Sequence, residues 1–217
     1  MITKKRKKNI RDPEGTKADI LAVAQQEFAN KGLHGARIDT ISARTKTTKR
    51  GIYYYFGGKS QLYAAVIERA YVELMQSEAN LLIGDSDPRE ALKRIAEFIF
   101  DFFDDHPDFI RLLITENIHE ARYVKKSKLL KSMPSTIVQK IAEVLRRGQE
   151  GGVFRPDVDP LDLVQLINSV CFYRMSNQYT FLQLYKRDFS SSDGKAKDRQ
   201  MLCESVLRFA GSQPHML

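Results

Sequence analysis

Apolar residues recur along most of the chain every three or four positions, which is the spacing of one face of an α-helix. Between positions 15 and 31 the repeat falls on Ile20, Ala24 and Phe28, and Gly32 then offers a left-handed helix end. No stretch shows the strict alternation of a half-buried strand. The pattern predicts an all-α protein of about nine helices.

The helices of the second half carry start signals and apolar faces. Asp87-Pro88 and Asp159-Pro160 each place an N-capping acid before a proline that suits the first helical position. The helix predicted from Pro160 to about Tyr185 is apolar on more than one face, and the last helix, to Ala210, carries a full apolar stripe. These two helices predict a homodimer in which each packs on its own domain and on a twofold mate.

Two short helices near residues 38–44 and 48–55, joined by a tight turn, predict a helix-turn-helix motif over about 38–57. Thr47 and Thr48 can cap the second helix, and Gly57-Gly58 ends it before a long helix that begins at Lys59. In such motifs the second helix lies in the major groove of DNA.

Positive charge is concentrated in the first quarter of the chain. Residues 1–59 hold 14 Lys and Arg against five Asp and Glu, whereas the whole chain has a net charge of +8. This asymmetry indicates a polyanionic partner, either nucleic acid or an anionic membrane surface. A basic tail that only aids solubility is the alternative. No amphipathic basic helix accompanies the charge, which disfavours the membrane. A basic arm over residues 1–14 is expected to add to DNA affinity.

Side chains near the second short helix suit contacts with DNA. Lys49 and Arg50 can reach phosphates or guanine edges, and three successive tyrosines from Tyr53 to Tyr55 cannot all face the core, because a helix turns 100° per residue. Lys59 falls in the first turn of its helix, where the helix dipole disfavours a cation. An anionic partner is therefore expected for it.

The order of apolar positions, the turn, Tyr53, Tyr55-Phe56 and Lys59 resembles the DNA-binding domain of the TetR family of bacterial transcriptional regulators. The resemblance implies a DNA-binding domain over 15–75 and a ligand-binding and dimerisation domain over 76–217. It also implies a repressor that leaves a palindromic, inverted-repeat operator on double-stranded DNA when a small-molecule effector binds. No cofactor is implied.

Carried over position by position, the resemblance assigns base reading to the start of the second short helix and phosphate contacts to Tyr53, Tyr55 and Lys59. Lys46 replaces the usual small turn residue and would be strained if left-handed. The candidate DNA-binding residues are Arg37, Thr40, Thr47, Thr48, Lys49, Arg50, Gly51, Tyr53, Tyr54, Tyr55 and Lys59.

The second half contains no catalytic or metal-binding motif. Its histidines lack HxxxH or HExxH spacing, and Cys171 and Cys203 form no CxxC pair. An enzyme and a metal site are therefore not expected. Asp101, Asp104, Asp105 and His106 cluster at a helix end and leave a metal open, with a solvated acidic helix end as the alternative. Two cysteines, no apolar stretch able to span a bilayer and no secretory signal favour the cytoplasm.

Polar residues within apolar helices are candidate effector ligands. The segments around His106-Pro107 and Asp159-Pro160 loosely resemble the branch that includes the bacterial regulator of pyrimidine utilisation, which implies a small polar, heterocyclic or carboxylated catabolite. Each candidate can equally be a hydrogen-bonded core residue. A constitutive DNA-architectural protein, which needs no cavity, is the alternative. The candidates are Glu116, Asn117, Asn168, Tyr173, Arg174 and Asn177.

Overall fold

The structure, a computed structural model, describes residues 12–212 and is all-α there, as predicted. The ten α-helices and one 3-10 turn are α1 (Pro13–Gly35), α2 (Ile38–Ala43), α3 (Lys49–Phe56), α4 (Lys59–Asn80), α5 (Pro88–Asp105), α6 (Pro107–Ile118), the 3-10 turn Val124–Lys126, α7 (Lys128–Ser132), α8 (Thr136–Glu150), α9 (Pro160–Tyr185) and α10 (Ser192–Ala210).

The nine helices predicted from the sequence correspond to α1–α6 and α8–α10. The additional helix, α7, lies in a basic stretch whose periodicity is ambiguous. Most of the predicted basic arm, residues 1–11, lies outside the described residues.

Side-chain caps fix where several helices begin. Asp87 Oδ1 accepts hydrogen bonds from the backbone N–H groups of Arg89 and Glu90 at the start of α5, and Asp159 Oδ1 accepts one from Leu161 at the start of α9. Gly32 has a φ of 63° and kinks α1, which confirms the left-handed glycine predicted there. The acid-proline signals in the sequence therefore gave correct helix starts.

The chain forms two compact units, one up to Ile67 and one from Glu68 onward. In the first unit, Ile41 of α2 and Ile52 of α3 are fully buried with the apolar stripe of α1. The ring of Phe28 meets that of Tyr63 edge to face, with centroids 5.1 Å apart. This small core fixes the two short helices, so their outward faces have defined positions.

In the second unit, α5 packs against α8, α9 and α10. Its apolar face is buried along the whole length of the helix, from Leu92 through Ile95 and Ile99 to Phe103. Gly148 of α8 leaves room for the ring of Phe154, which a β-carbon at that position would strike. The resulting helical bundle surrounds the cavity described below.

Candidate nucleic-acid interface and effector cavity

The outward face of α3 carries the candidate base-reading side chains. Thr48 caps the helix by accepting a hydrogen bond of 3.1 Å from the backbone N–H of Gly51. Because Ile52 is fully buried, Lys49, Arg50 and Tyr53 point away from the core and are exposed. The face thus presents two cations and a phenol at the start of the second short helix.

The three successive tyrosines differ in exposure, as the helical turn requires. Tyr54 is 83% exposed and Tyr53 43% exposed, whereas Tyr55 is half-buried and meets the ring of Tyr54 edge to face at 5.3 Å. Tyr53 and Tyr54 therefore have hydroxyl groups available to a backbone phosphate.

The turn between α2 and α3 is fastened to α1. The backbone N–H of Lys46 donates to Asp19 Oδ2 at 2.9 Å, and the guanidinium of Arg44 donates to Gln26 Oε1 at 2.5 Å. Lys46 is not among the described residues with a positive φ. The left-handed strain considered for Lys46 is therefore absent, because the turn closes without a left-handed residue.

Lys49 has an acidic partner on the neighbouring helix. Its Nζ lies 2.9 Å from Oδ1 of Asp39 in α2 and donates a hydrogen bond of 3.2 Å to Oδ2, and this hydrogen bond raises the pKa of Lys49. Both side chains are more than half exposed, so the pair adds little stability. Sequence reasoning singled out Lys49 and missed Asp39, an exposed acid in the first turn of α2.

Arg37 and Thr40 lie at the beginning of α2. The backbone N–H of Arg37 donates to Glu27 Oε1 at 3.3 Å, and its side chain is exposed. Thr40 is half-buried, one position after Asp39. Glu27 is 8% exposed and holds the start of α2 against α1, a positioning role that nothing in the sequence indicated.

Lys59 at the start of α4 is bonded to the protein itself. Its Nζ donates to the backbone carbonyls of His34 at 3.2 Å and Ala36 at 3.0 Å. These carbonyls belong to the end of α1, where the helix dipole favours a cation. The expected anionic partner is therefore replaced, in the free protein, by two carbonyl oxygens.

Gly51 sits directly against the side chain of Thr47. A β-carbon at Gly51 would strike Thr47 Oγ1. The glycine is thus explained by close packing within the turn, in addition to any approach of the backbone to DNA.

A cavity of about 620 Å³ opens in the second unit, between residues of α4, α5, α6, α8 and α9. Tyr71 and Phe109 meet edge to face at 5.4 Å on its wall, and burial raises the pKa of the Tyr71 hydroxyl to about 12. The lining residues are Tyr71, Leu74, Glu78, Ile99, Phe103, Phe109, Leu113, Asn117, Ile137, Gln165, Asn168, Ser169 and Phe172.

Among the described residues that line the cavity, Glu78 is the charged one, and no lysine or arginine accompanies it. It is 7% exposed, and burial raises the pKa of its carboxyl group, although a hydrogen bond from the backbone of Ile137 and the charge of Lys140 oppose that rise. Aromatic walls with neutral amides and one acid suit a flat, uncharged or cationic molecule.

The comparisons with known proteins agree on one family. Residues 20–66 match the family model for bacterial regulatory proteins of the tetR family, and residues 88–206 match that for the tetracyclin repressor-like C-terminal domain. The HTH-type transcriptional repressor NicS of Pseudomonas putida is 32% identical over 208 residues, which cover 96% of this chain and 98% of NicS. The chain belongs to the TetR family.

Two further relatives are similar to this TetR-family chain. The HTH-type transcriptional repressor SCO4008 of Streptomyces coelicolor is 34% identical over 72% of this chain and 77% of its own length. The regulator SCO4942 of the same species, a solved structure, has a TM-score of 0.66 at 28% identity and covers 90% of this chain and 98% of its own.

RutR of Escherichia coli K12 is 26% identical over 74% of each chain. Members of the TetR family are DNA-binding transcription regulators and not enzymes. No helix within residues 12–212 has the length and apolarity needed to cross a membrane.

The structure does not bring the six candidate effector ligands of this TetR-family chain together. Asn117 and Asn168 line the 620 Å³ cavity. Tyr173 and Arg174 instead line a second cavity of about 460 Å³, with Phe181 of α9 among its walls. Polar residues are spread evenly along α9, so the sequence could not show which of them line the first cavity and which line the second.

The side chains of Glu116 and Asn177 form hydrogen bonds with backbone groups. The carboxylate of Glu116 is buried and accepts hydrogen bonds from the N–H groups of Tyr123 at 3.0 Å and Val124 at 3.2 Å. The amide of Asn177 donates to the carbonyl of Tyr173 one turn earlier. Glu116 therefore anchors the loop that follows α6. This is the role of a hydrogen-bonded core residue, the stated alternative to an effector ligand.

Two of the acidic residues at the end of α5 are paired with cations. Asp104 accepts from Arg174 at 2.8 Å and lies 2.6 Å from Lys195, while Asp101 accepts from Arg199 at 2.9 Å. Among the described residues, no three His, Cys, Asp or Glu side chains are grouped to hold a metal ion. The metal considered at this helix end therefore has no assembled set of ligands there.

Proposed function

We propose that this TetR-family chain is a cytoplasmic repressor that binds an inverted-repeat operator as a homodimer and leaves it when a small molecule occupies the 620 Å³ cavity. The observation that carries the DNA role is the exposed set of Lys49, Arg50 and Tyr53 on a short helix fixed by the buried Ile52. NicS and SCO4008, both named repressors, support the direction of control.

Exposed apolar side chains on α9 support the homodimer. Tyr179 is 66% exposed, Leu184 73% and Tyr185 66%, and Met201 of α10 is 46% exposed. Aromatic and aliphatic side chains concentrated on two adjacent helices are typical of an interface between subunits. A twofold axis through this surface would pair the recognition helices, α3, of two chains, which is the arrangement that an inverted repeat requires.

The cavity favours an effector-controlled repressor over a constitutive architectural protein, which would need none. Its lining offers Glu78 and the amides of Asn117, Gln165 and Asn168 to a ligand. A carboxylated effector would meet an acid there without an ionic partner. We therefore expect an aromatic effector that is neutral or carries a basic nitrogen.

The long helix α4 is the element through which a ligand can act on DNA binding. Tyr71, Leu74 and Glu78 bring α4 into the cavity wall, and the same helix begins at Lys59 beside the end of α1. A ligand that favours one position of α4 would change the separation of the two recognition helices. A coupling of about 10²-fold, or roughly 2.7 kcal/mol, relieves repression noticeably.

The DNA role is tested by selecting sequences from a random duplex library with the full chain. An inverted repeat with half-sites one or more helical turns apart is expected. Recovery of unrelated sequences, or a binding unit of one chain per duplex, contradicts the operator proposal.

The effector role is tested with three probes that differ only in one group, 1-naphthamide, 1-naphthylmethylamine and 1-naphthoate. The amide and amine are expected to raise the melting temperature and the naphthoate to leave it unchanged. Glu78→Gln should abolish the preference for the amine over the naphthoate. For a probe that binds, the affinity for free and for operator-bound protein must differ by the same factor by which the probe weakens operator binding; equal affinities would contradict the switch.

A further inference from the structure

A basic segment between α6 and the end of α7 differs in charge from the rest of the second unit. Residues 122–131 contain five Lys and Arg and no Asp or Glu, whereas the other residues from 60 to 217 hold 16 Lys and Arg against 22 Asp and Glu. Each of these cations is exposed. They are Arg122, Lys125, Lys126, Lys128 and Lys131.

The four lysines of this basic segment have no carboxylate within ion-pair distance among the described residues. Elsewhere in the unit the exposed cations are commonly paired, as Arg146 is with Glu143 and Glu150. Four unpaired lysines within seven positions repel one another, which is a cost that an external anion would relieve.

A left-handed turn and the buried carboxylate of Glu116 hold the basic segment in place. Glu120 and Ala121 have φ values of 57° and 55°, in the left-handed region that residues other than glycine rarely adopt. The Glu116 carboxylate fixes the backbone just after them, by accepting from Tyr123 and Val124. The lysines are thus presented on an ordered backbone.

A second anchor ties the basic segment to α4. Ser127 is 5% exposed; its hydroxyl donates to Glu68 Oε1 at 2.5 Å and accepts from the N–H of Leu130 at 3.1 Å. Glu68 lies in α4, the helix that begins at Lys59. The basic segment is therefore attached to the helix that leads out of the DNA-binding unit.

We propose that the basic segment binds phosphates of the duplex that flanks the operator, an inference that rests on the proposed DNA-binding function. Phosphate contacts need positive charge and little shape, which exposed lysines supply. A protein partner is disfavoured by the same composition, because lysine is depleted and aromatic residues are enriched in protein interfaces. The lysines add affinity without reading sequence.

The test compares the wild type with a variant carrying Lys125→Gln, Lys126→Gln, Lys128→Gln and Lys131→Gln. A matched control removes four exposed cations from α5, α8 and α10 by Arg94→Gln, Arg146→Gln, Lys197→Gln and Arg208→Gln. Melting temperature and oligomeric state are measured for each variant, so that misfolding or a lost dimer is recognised.

Binding is measured against salt concentration on two duplexes, the selected operator alone and the operator extended by 20 base pairs on each side. On the extended duplex, the lysine variant is expected to lose about tenfold or more in affinity and about 0.9 of salt slope for each phosphate contact removed. The control variant should follow the wild type, and on the short duplex all three proteins should agree more closely.

Two failures can be told apart. If the wild type binds no duplex, the proposed function is wrong. If the wild type binds but the lysine variant matches the control on the extended duplex, the flanking contact is wrong, and capture of an acidic protein by the basic segment would then be the alternative.

Discussion

At the scale of single residues, Lys59 has two roles, a contact with the protein's own backbone and an expected contact with DNA. Its ammonium group lies between two carbonyls at the end of α1 in the free protein, whereas the family resemblance assigns it to a DNA phosphate. The two roles are compatible, because a lysine has three donors and can add a phosphate to its carbonyl partners.

Lys59→Ala is expected to lower the free energy of unfolding by about 1.5–3 kcal/mol, the usual contribution of hydrogen bonds that involve a charged group. It should also weaken binding to every DNA sequence and flatten the salt slope. Urea unfolding and binding titrations measure the two effects, with Lys31→Ala as a control that removes the same charge from an exposed position of α1. An unchanged unfolding free energy would show that the carbonyl contacts are incidental.

Arg50 is expected to read a base, because it is exposed at the start of α3. Arg50→Ala should relax the choice at one operator position by roughly 1–3 kcal/mol while leaving the other positions unchanged. Competition between the operator and single-base variants measures this. Equal losses on operator and random DNA would instead assign Arg50 to the phosphate backbone.

At the scale of elements, an ion network joins α5, α9 and α10. The guanidinium of Arg174, on α9, is buried and donates to Asp104 at 2.8 Å and to the carbonyl of Phe189 at 2.7 Å, while its Nε faces Asp198 at 3.4 Å. It also lies over the ring of Phe100. One side chain thus fixes the crossing of three helices.

Arg174→Met is expected to lower the free energy of unfolding by about 3–5 kcal/mol, because it leaves Asp198 buried without its full set of partners. Arg208→Met, which removes an exposed pair with Glu204, should cost less than about 1 kcal/mol. Chemical unfolding at a fixed protein concentration compares them. A similar small loss in both variants would contradict the structural role of the network.

The same network predicts a dependence on pH. Burial alone would raise the pKa of Asp104, but hydrogen bonds from Lys195 and Arg174 outweigh it and hold that pKa below its usual value. The carboxylate therefore contributes stability above about pH 4, and the contribution is lost as the pH falls through the lowered pKa. Between pH 5 and 3 the wild type should lose more stability than Arg174→Met, and parallel curves would contradict this.

At the scale of the whole molecule, the exposed apolar surface of α9 and α10 predicts a dimer that buries more than about 1,200 Å². Leu184→Glu together with Tyr179→Glu should produce monomers at micromolar concentration, because two charges would be buried at the interface. Light scattering measures the mass. Ile118→Glu, at a position 71% exposed on α6, is the control and should stay dimeric; a monomeric wild type would remove the prediction.

The sequence by itself determined the all-α class, the starts of α5 and α9 and the family. These rest on local chemistry, because an acid before a proline caps a helix wherever it stands, and the spacing of Ile20, Ala24 and Phe28 gives one apolar face in any helix. The outward position of Lys49 and Arg50 followed from the same periodicity.

Only the tertiary structure decided which polar residues meet. Whether Glu116 lines a cavity or anchors a loop depends on where residues seven and eight positions later return, and Arg174 is bonded to Asp104, 70 positions away. Lys59 likewise finds its carbonyl partners more than 20 positions earlier in the chain. Helix periodicity fixes the side of its own helix on which a residue lies, whereas its partner there depends on how distant helices pack.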